Sequence, residues 1–339
     1  MVLMRREALR LCAIVLLGMI VLFGGDRAGA GTPTKLSIVF PTSPHTFALP
    51  HFVAADKGWL AENGLDVQEQ WLVGDTTVIR LIVTGDADLC VTGLPAAFSA
   101  IVAGAQIKAV GSEQRIFDFQ MVANTSVAKI ADLAGKRFAA GPPLSIQTEV
   151  PRVIMRKYGL DPAQVAFLQA GGTPERLQAV VSGAADATLI GTAFALQAAA
   201  KYPNLHILTT VPKEFPGFGF SYVMASSKGL ADPAKRKAME TYVEQAVVRA
   251  SRYIMDNPEE ATKILLKRVP SLDPEIARRS VDFMNAQNMW GVNGGLEPEI
   301  TNFTVKFSVD SKMIPTAVTY EQVVDPSLVD DALSHLGRR

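Results

Sequence analysis

Short apolar runs bounded by turn residues alternate along this chain with longer stretches whose apolar positions recur at helical spacing. From Lys35 the pattern predicts strands over 35–40, 66–72 and 87–92, separated by helices over 46–63, 76–84 and 95–103. The succession then returns, with strands over 137–140, 164–169 and 186–190 and helices over 145–158, 174–182 and 193–200. Such alternation predicts βαβ units on mostly parallel sheets. Residues 110–124 read as extended and aromatic, 218–226 as a second extended run, and from Asp232 onward helical patterns dominate. Asp232-Pro233 and Asn257-Pro258 read as helix starts.

The return is literal. LIVTGDADLCVTGL at 81–94 and AVVSGAADATLIGT at 179–192 hold one register, so that Gly74, Gly85, Ala87, Asp88 and Gly93 fall on Gly172, Gly183, Ala185, Asp186 and Gly191. Two units of this length fit paired lobes better than a solenoid. The helical final third has no counterpart in the repeat, so it is expected to return and complete the first lobe. Residues 114–122 and 218–223 then become two crossings that form a hinge. The predicted division is a signal peptide over 1–30, lobe 1 over 31–118 and 221–339, and lobe 2 over 119–220.

Composition narrows the function classes. Among 339 residues, 33 basic and 33 acidic side chains cancel, which leaves no electrostatic footprint for nucleic acid or an anionic membrane. Arg5, Arg6 and Arg10 precede an apolar run over 11–23, followed by Ala28-Gly29-Ala30, the layout of a cleavable secretory signal. The run falls short of the roughly 20 residues a membrane span needs. Export to the periplasm follows as an expectation; whether the Sec or the twin-arginine route is used stays open. Removal of the signal takes Cys12 with it and leaves Cys90, in an apolar strand pattern, as a small buried hydrophobe.

The repeat also locates candidate chemistry. Gly85 and Gly183 stand where a helix turns into a strand, a place for left-handed backbone, and Asp88 and Asp186 follow where a carboxylate accepts amide hydrogen bonds. Gly93 and Gly191 stand at the opposite, carboxyl ends of their strands, where open α/β sheets bind ligands and helix N-termini offer amides to anions. The loops 40–46 and 140–148 have the same position, with Ser145 and Thr148 reading as N-cap or first-turn residues. The four histidines, His45, His51, His206 and His335, lack metal-ligand spacing, and His51 falls in a helix with packing or exposure as its alternatives. No P-loop, G-x-G-x-x-G or G-x-S-x-G is present, and no nucleophile, base and orienter come together. The chemistry points to binding without catalysis, metal or cofactor.

Ala54-Ala55-Asp56-Lys57-Gly58-Trp59-Leu60, Asn63-Gly64-Leu65-Asp66-Val67, Gly85-Asp86-Ala87-Asp88, Asp132-Leu133-Ala134-Gly135-Lys136 and Val323-Val324-Asp325 occur in an order that resembles the nitrate/sulfonate/taurine-type substrate-binding proteins of ABC transporters, within the superfamily that includes thiamine-pyrimidine-precursor binders. The resemblance implies a type II periplasmic-binding-protein fold with two hinge crossings, a monomer that holds a small, anionic solute between its lobes and delivers it to a permease and ATPase. Carried over by position, the pocket is lined by His45, Thr46, Gly74, Thr76, Gly93, Leu94, Ser145, Gln147, Thr148, Thr192 and Phe194, with Phe218 as a cap. For His45 and Phe194 ordinary packing is the alternative. With no arginine at these positions, helix amides are expected to recognise a sulfonate, carboxylate or nitrate. A pyrimidine-precursor binder or biosynthetic protein and a ligand sensor for a membrane receptor are the other readings.

Overall fold

The computed structural model describes residues 32–339, so the expected signal over 1–30 lies outside it. Among the described residues ten strands form two five-stranded sheets. The first contains β1 (Thr34–Phe40), β2 (Leu65–Trp71), β3 (Leu89–Gly93), β4 (Ile107–Ile116) and β10 (Gly219–Ser226), in the order β2-β1-β3-β10-β4. The second contains β5 (Phe119–Asn124), β6 (Arg137–Ala140), β7 (Ala166–Gln169), β8 (Ala187–Gly191) and β9 (Leu205–Thr210), in the order β7-β6-β8-β5-β9. In each sheet four strands point the same way, and β10 or β5, fourth in the order, runs antiparallel to both its neighbours. That antiparallel strand arrives directly from the other sheet, β5 after β4 and β10 after β9, so the lobes exchange a strand reciprocally. The fold is the two-lobed α/β architecture of periplasmic binding proteins.

The repeated phrase does the same local work in both sheets. Gly85 (φ 86°) and Gly183 (φ 75°) occupy the left-handed region that other residues reach only with strain. Asp88 accepts from the Ser37 amide at 2.9 Å, and Asp186 accepts from the Arg137 amide at 2.9 Å. These amides belong to the neighbouring strands β1 and β6 and not to the turn, so each aspartate fastens two strands together. Cys90 is fully buried in β3.

Three local expectations need correction. The predicted helix over 46–63 is a 3₁₀ turn (Thr46–Ala48), a helix (Leu49–Asp56) and a further turn (Trp59–Glu62), broken at Gly58, whose φ of 76° ends the first helix. The single extended run over 110–124 is two strands in different sheets, and β9 was not foreseen at all. The helical last third does not serve lobe 1 alone. Phe303 and Phe307 of the helix Pro298–Asp310 pack with Phe215 and Phe218 in the core of the second sheet, and the helix Pro274–Ala286 packs against the alanine-rich helix Thr192–Lys201.

The outer edge of β4 is covered rather than exposed, which removes a template for edge pairing. Ser112 and Arg115 amides donate to Gly294 and Met289 carbonyls, and the Asp325 amide of the Val323-Val324-Asp325 motif donates to Ala109 at 3.0 Å. At the cleft end of β10, a Cβ on Gly219 would stand 2.7 Å from Leu94 Cδ1 and 3.0 Å from Ile300 Cγ2. Gly219→Ala is therefore expected to cost about 1 to 3 kcal/mol by overpacking. Urea unfolding checks it: the midpoint should fall with an unchanged m-value.

Candidate functional site

The strands fix the site by their carboxyl ends. In the first sheet Ser221 of β10 lies between Gly93 of β3 and Gln114 of β4, and in the second Phe119 of β5 pairs with Gly191 of β8. The loop after β1 carries His45 from this row to the other lobe. Its ring stacks on Phe194 of the helix Thr192–Lys201, with centroids 5.2 Å apart and planes 14° from parallel. The ring packs directly over Gly191, with His45 Cε1 3.5 Å from where a Cβ would be, the separation of an ordinary van der Waals contact. Thr46 Oγ1, buried, is 2.8 Å from His45 Nδ1 and orients the ring. Burial lowers the His45 pKa to about 4, which keeps the imidazole neutral at neutral pH.

The first lobe does not present the free amide that the sequence suggests at Gly93. Its N–H donates to Asp75 Oδ1 at 3.0 Å, and the Thr92 hydroxyl donates to the same oxygen at 2.7 Å. A resident carboxylate thus occupies the donor intended for an anion. Asp75 escaped the sequence reading although it opens the helix between Gly74 and Thr76, both exposed; the repeat places Thr173 at the matching position of lobe 2. Leu94 is wholly buried and packs towards Gly219 and Ile300, so it is a core residue and no pocket wall. Phe218 is likewise buried, 5.5 Å from Phe117 and 4.7 Å edge-on to Phe307, and has no freedom to cap a ligand.

In lobe 2, Ser145 and Gln147 fold over Gly141, where a Cβ would meet Ser145 Oγ at 2.6 Å and Gln147 Cβ at 3.1 Å. Ser145 holds the N-cap position but its hydroxyl caps no amide. Thr148, buried, donates to the Gly141 and Pro142 carbonyls at 3.0 and 2.9 Å, so it latches the loop and does not cap the helix. Pro151 inside that helix has no N–H for the Gln147 carbonyl. Thr192, fully buried, donates to the Asp118 carbonyl in the first crossing and accepts from Gln120 Nε2 at 3.0 Å. The structure therefore gathers His45, Thr46, Thr192 and Phe194 around Gly191, groups Ser145, Gln147 and Thr148 around Gly141, and sets Leu94 and Phe218 into the cores.

A second polar chain runs through lobe 1, buried except at its Glu69 end. His51 is 2.6 Å from Glu69 Oε2 and 3.0 Å from the Tyr242 hydroxyl, which donates to Glu113 Oε1 at 2.7 Å. Burial pushes the Glu113 carboxyl up to about 8, against the opposing Tyr242 hydrogen bond, while the hydrogen bond from His51 pulls Glu69 down to about 2. His51 is thus a packed, doubly bonded core residue. Among the described residues no group of three or more His, Cys, Asp or Glu is placed to hold a metal ion, and no helix is long and apolar enough to cross a membrane.

Comparison with known proteins adds to this geometry. The family model described as NMT1/THI5 like matches residues 45–261. A formylaminopyrimidine-binding protein of Halalkalibacterium halodurans is 26% identical over 241 residues, 67% of each chain. Among solved structures, the periplasmic nitrate-binding protein NrtA of Synechocystis PCC 6803 superposes with a TM-score of 0.74 at 16% identity, covering 90% of this chain and 89% of its own. The periplasmic aliphatic sulphonate-binding protein SsuA of Escherichia coli gives 0.67 at 16% identity, covering 87% and 93%.

Proposed function

Since the chain belongs to the NMT1/THI5-like family, we propose that it is the periplasmic solute-binding component of an ABC importer, which closes two lobes on a small flat molecule and presents it to a permease and its ATPase. The observation that carries this reading is the His45 and Phe194 pair, one ring from each lobe, nearly parallel at the carboxyl ends of the strands. Two such faces, parted by the hinge, suit a planar ring between them, because offset stacking rewards flat π-systems over compact ions. A pyrimidine-type heterocycle meets that requirement, in keeping with what the Halalkalibacterium relative is named for. The chain then acts by binding and release, without turnover.

Nitrate, sulfonates and carboxylates form the second reading. It is favoured by the helix starts at Gly191 and Ser145, where no side chain caps the helix amides, and opposed by the Asp75 carboxylate on the Gly93 amide. A thermal-shift screen of refolded mature protein against pyrimidines, sulfonates, nitrate and carboxylates tests both. Ligand at 100 times its Kd adds about 2.7 kcal/mol, or several degrees in Tm. A selective shift names the class; no shift with any class would remove the solute-receptor reading.

A further inference from the structure

Where β4 crosses to β5, beside Thr192, lies a set of buried polar side chains that the sequence reading did not single out. Gln114 at the end of β4, Asp118 in the crossing to β5, and Gln120 in β5 are 0%, 3% and 1% exposed, and Thr192 beside them is fully buried. They come from both lobes and from the hinge between them. Gln114 Oε1, Asp118 Oδ2 and Gln120 Oε1 have no hydrogen-bond partner among the described residues. Leaving a buried polar atom unpaired costs about 1 to 3 kcal/mol, so three in one place call for an explanation.

The hydrogen-bond network fixes their chemical sense. Gln114 Nε2 donates to the Ile116 carbonyl at 2.9 Å, so its amide cannot be turned over without setting two carbonyl oxygens against each other. Thr192 spends its only proton on the Asp118 carbonyl, so its oxygen must accept, and the group facing it at 3.0 Å must be the Gln120 NH₂. Both unpaired amide atoms are therefore oxygens that accept. The Asp75 carboxylate stands on Gly93 in the adjoining strands, two positions along the same sheet row as Gln114.

We propose that Gln114, Asp118 and Gln120 form the specificity floor of the cleft, reading the N–H donors of an amino-substituted heterocycle or amine. The inference deepens the solute-receptor reading and rests on it. It also supplies a reason for closure. Gln114 belongs to lobe 1, Gln120 to lobe 2 and Asp118 to the short segment that joins them, so a donor-bearing solute that pairs all three draws the lobes together over it. Nitrate and simple sulfonates offer no donors and would leave the three oxygens as they stand.

Isothermal calorimetry with 4-aminopyrimidine, unsubstituted pyrimidine and methanesulfonate, on wild type and on the Gln120→Leu and Asp118→Asn variants, tests this. The amino probe should bind wild type at least tenfold more tightly than pyrimidine, and each variant should lose about 10- to 100-fold for the amino probe alone. Circular dichroism melts identify a variant that fails to fold, and the wild-type ranking of the three probes stands independently of the variants. Equal affinity for pyrimidine and its amino derivative would overturn the floor and leave the receptor reading intact, as would binding of methanesulfonate alone. Silence from all three probes in wild type, alongside a negative class screen, would remove both.

Discussion

Replacing Glu113 by glutamine should make the protein more stable than wild type at pH 8.5 and leave the two nearly equal near pH 4.5. The Glu113 carboxyl is wholly buried, one oxygen accepts from Tyr242, and the other has no partner among the described residues. Among the described residues no cation faces it; Tyr242 and, beyond it, His51 and Glu69 are its polar company. Burial therefore raises its pKa from the ordinary 4.5 to about 8 in the folded protein. A raised pKa means that the folded state holds its proton more tightly, so the stability it lends is complete below pH 4.5 and drains away as pH rises to about 8. At roughly 1.4 kcal/mol per pH unit, the loss between those limits comes to about 5 kcal/mol. Glutamine keeps the acceptor for Tyr242 and cannot ionise. Urea midpoints measured from pH 4.5 to 8.5 should separate across this window, the advantage of Glu113→Gln over wild type growing from near zero to its full size while the histidines act on both proteins alike; parallel curves would show that Glu113 does not titrate there. Glu69 acts in a separate window, since its lowered pKa concerns pH 4.5 down to about 2.

Acid should open the cleft. The His45 ring is held neutral by burial against Phe194, with a pKa lowered from 6.5 to about 4. For a base whose pKa is depressed, the closed arrangement has its full stability above pH 6.5 and loses it as pH falls towards 4. The total is about 3 kcal/mol, enough to change the ratio of closed to open molecules by roughly two orders of magnitude. Small-angle scattering should then record a larger radius of gyration at pH 4.5 than at pH 7 for wild type. His45→Phe keeps a flat ring against Phe194 and has no proton to take up, so its radius should not change over that range. An identical response in both proteins would assign the opening to other groups.

Much of the fold was legible because its determinants are local. Strand and helix alternation follows from hydrophobic period, and Gly85 and Gly183 were readable as left-handed positions because only glycine adopts that backbone cheaply. The repeat disclosed that the phrase belongs to two equivalent sheets, and the order of short motifs carried the family. The misreadings have a common cause. Leu94 and Phe218 sit at cleft ends of strands in the sequence register, yet their side chains turn into cores built by the helix Pro298–Asp310, some 80 or more residues further along the chain. Apolar residues at a cleft rim satisfy either fate, and the nearest distant packing surface decides.

The sequence by itself determined most of the elements, their twofold repetition and the family, since each depends on residues close together in the chain. Tertiary structure alone decided the site. Asp75 reaches Gly93 across two loops, His45 reaches Phe194 across two lobes, and Gln114, Asp118 and Gln120 become a set only where β4 leaves one sheet and β5 enters the other. Glutamine, aspartate and threonine at such positions are ordinary surface residues by composition. Burial at the crossing, with no water-facing side left, is what turns their unpaired oxygens into chemistry.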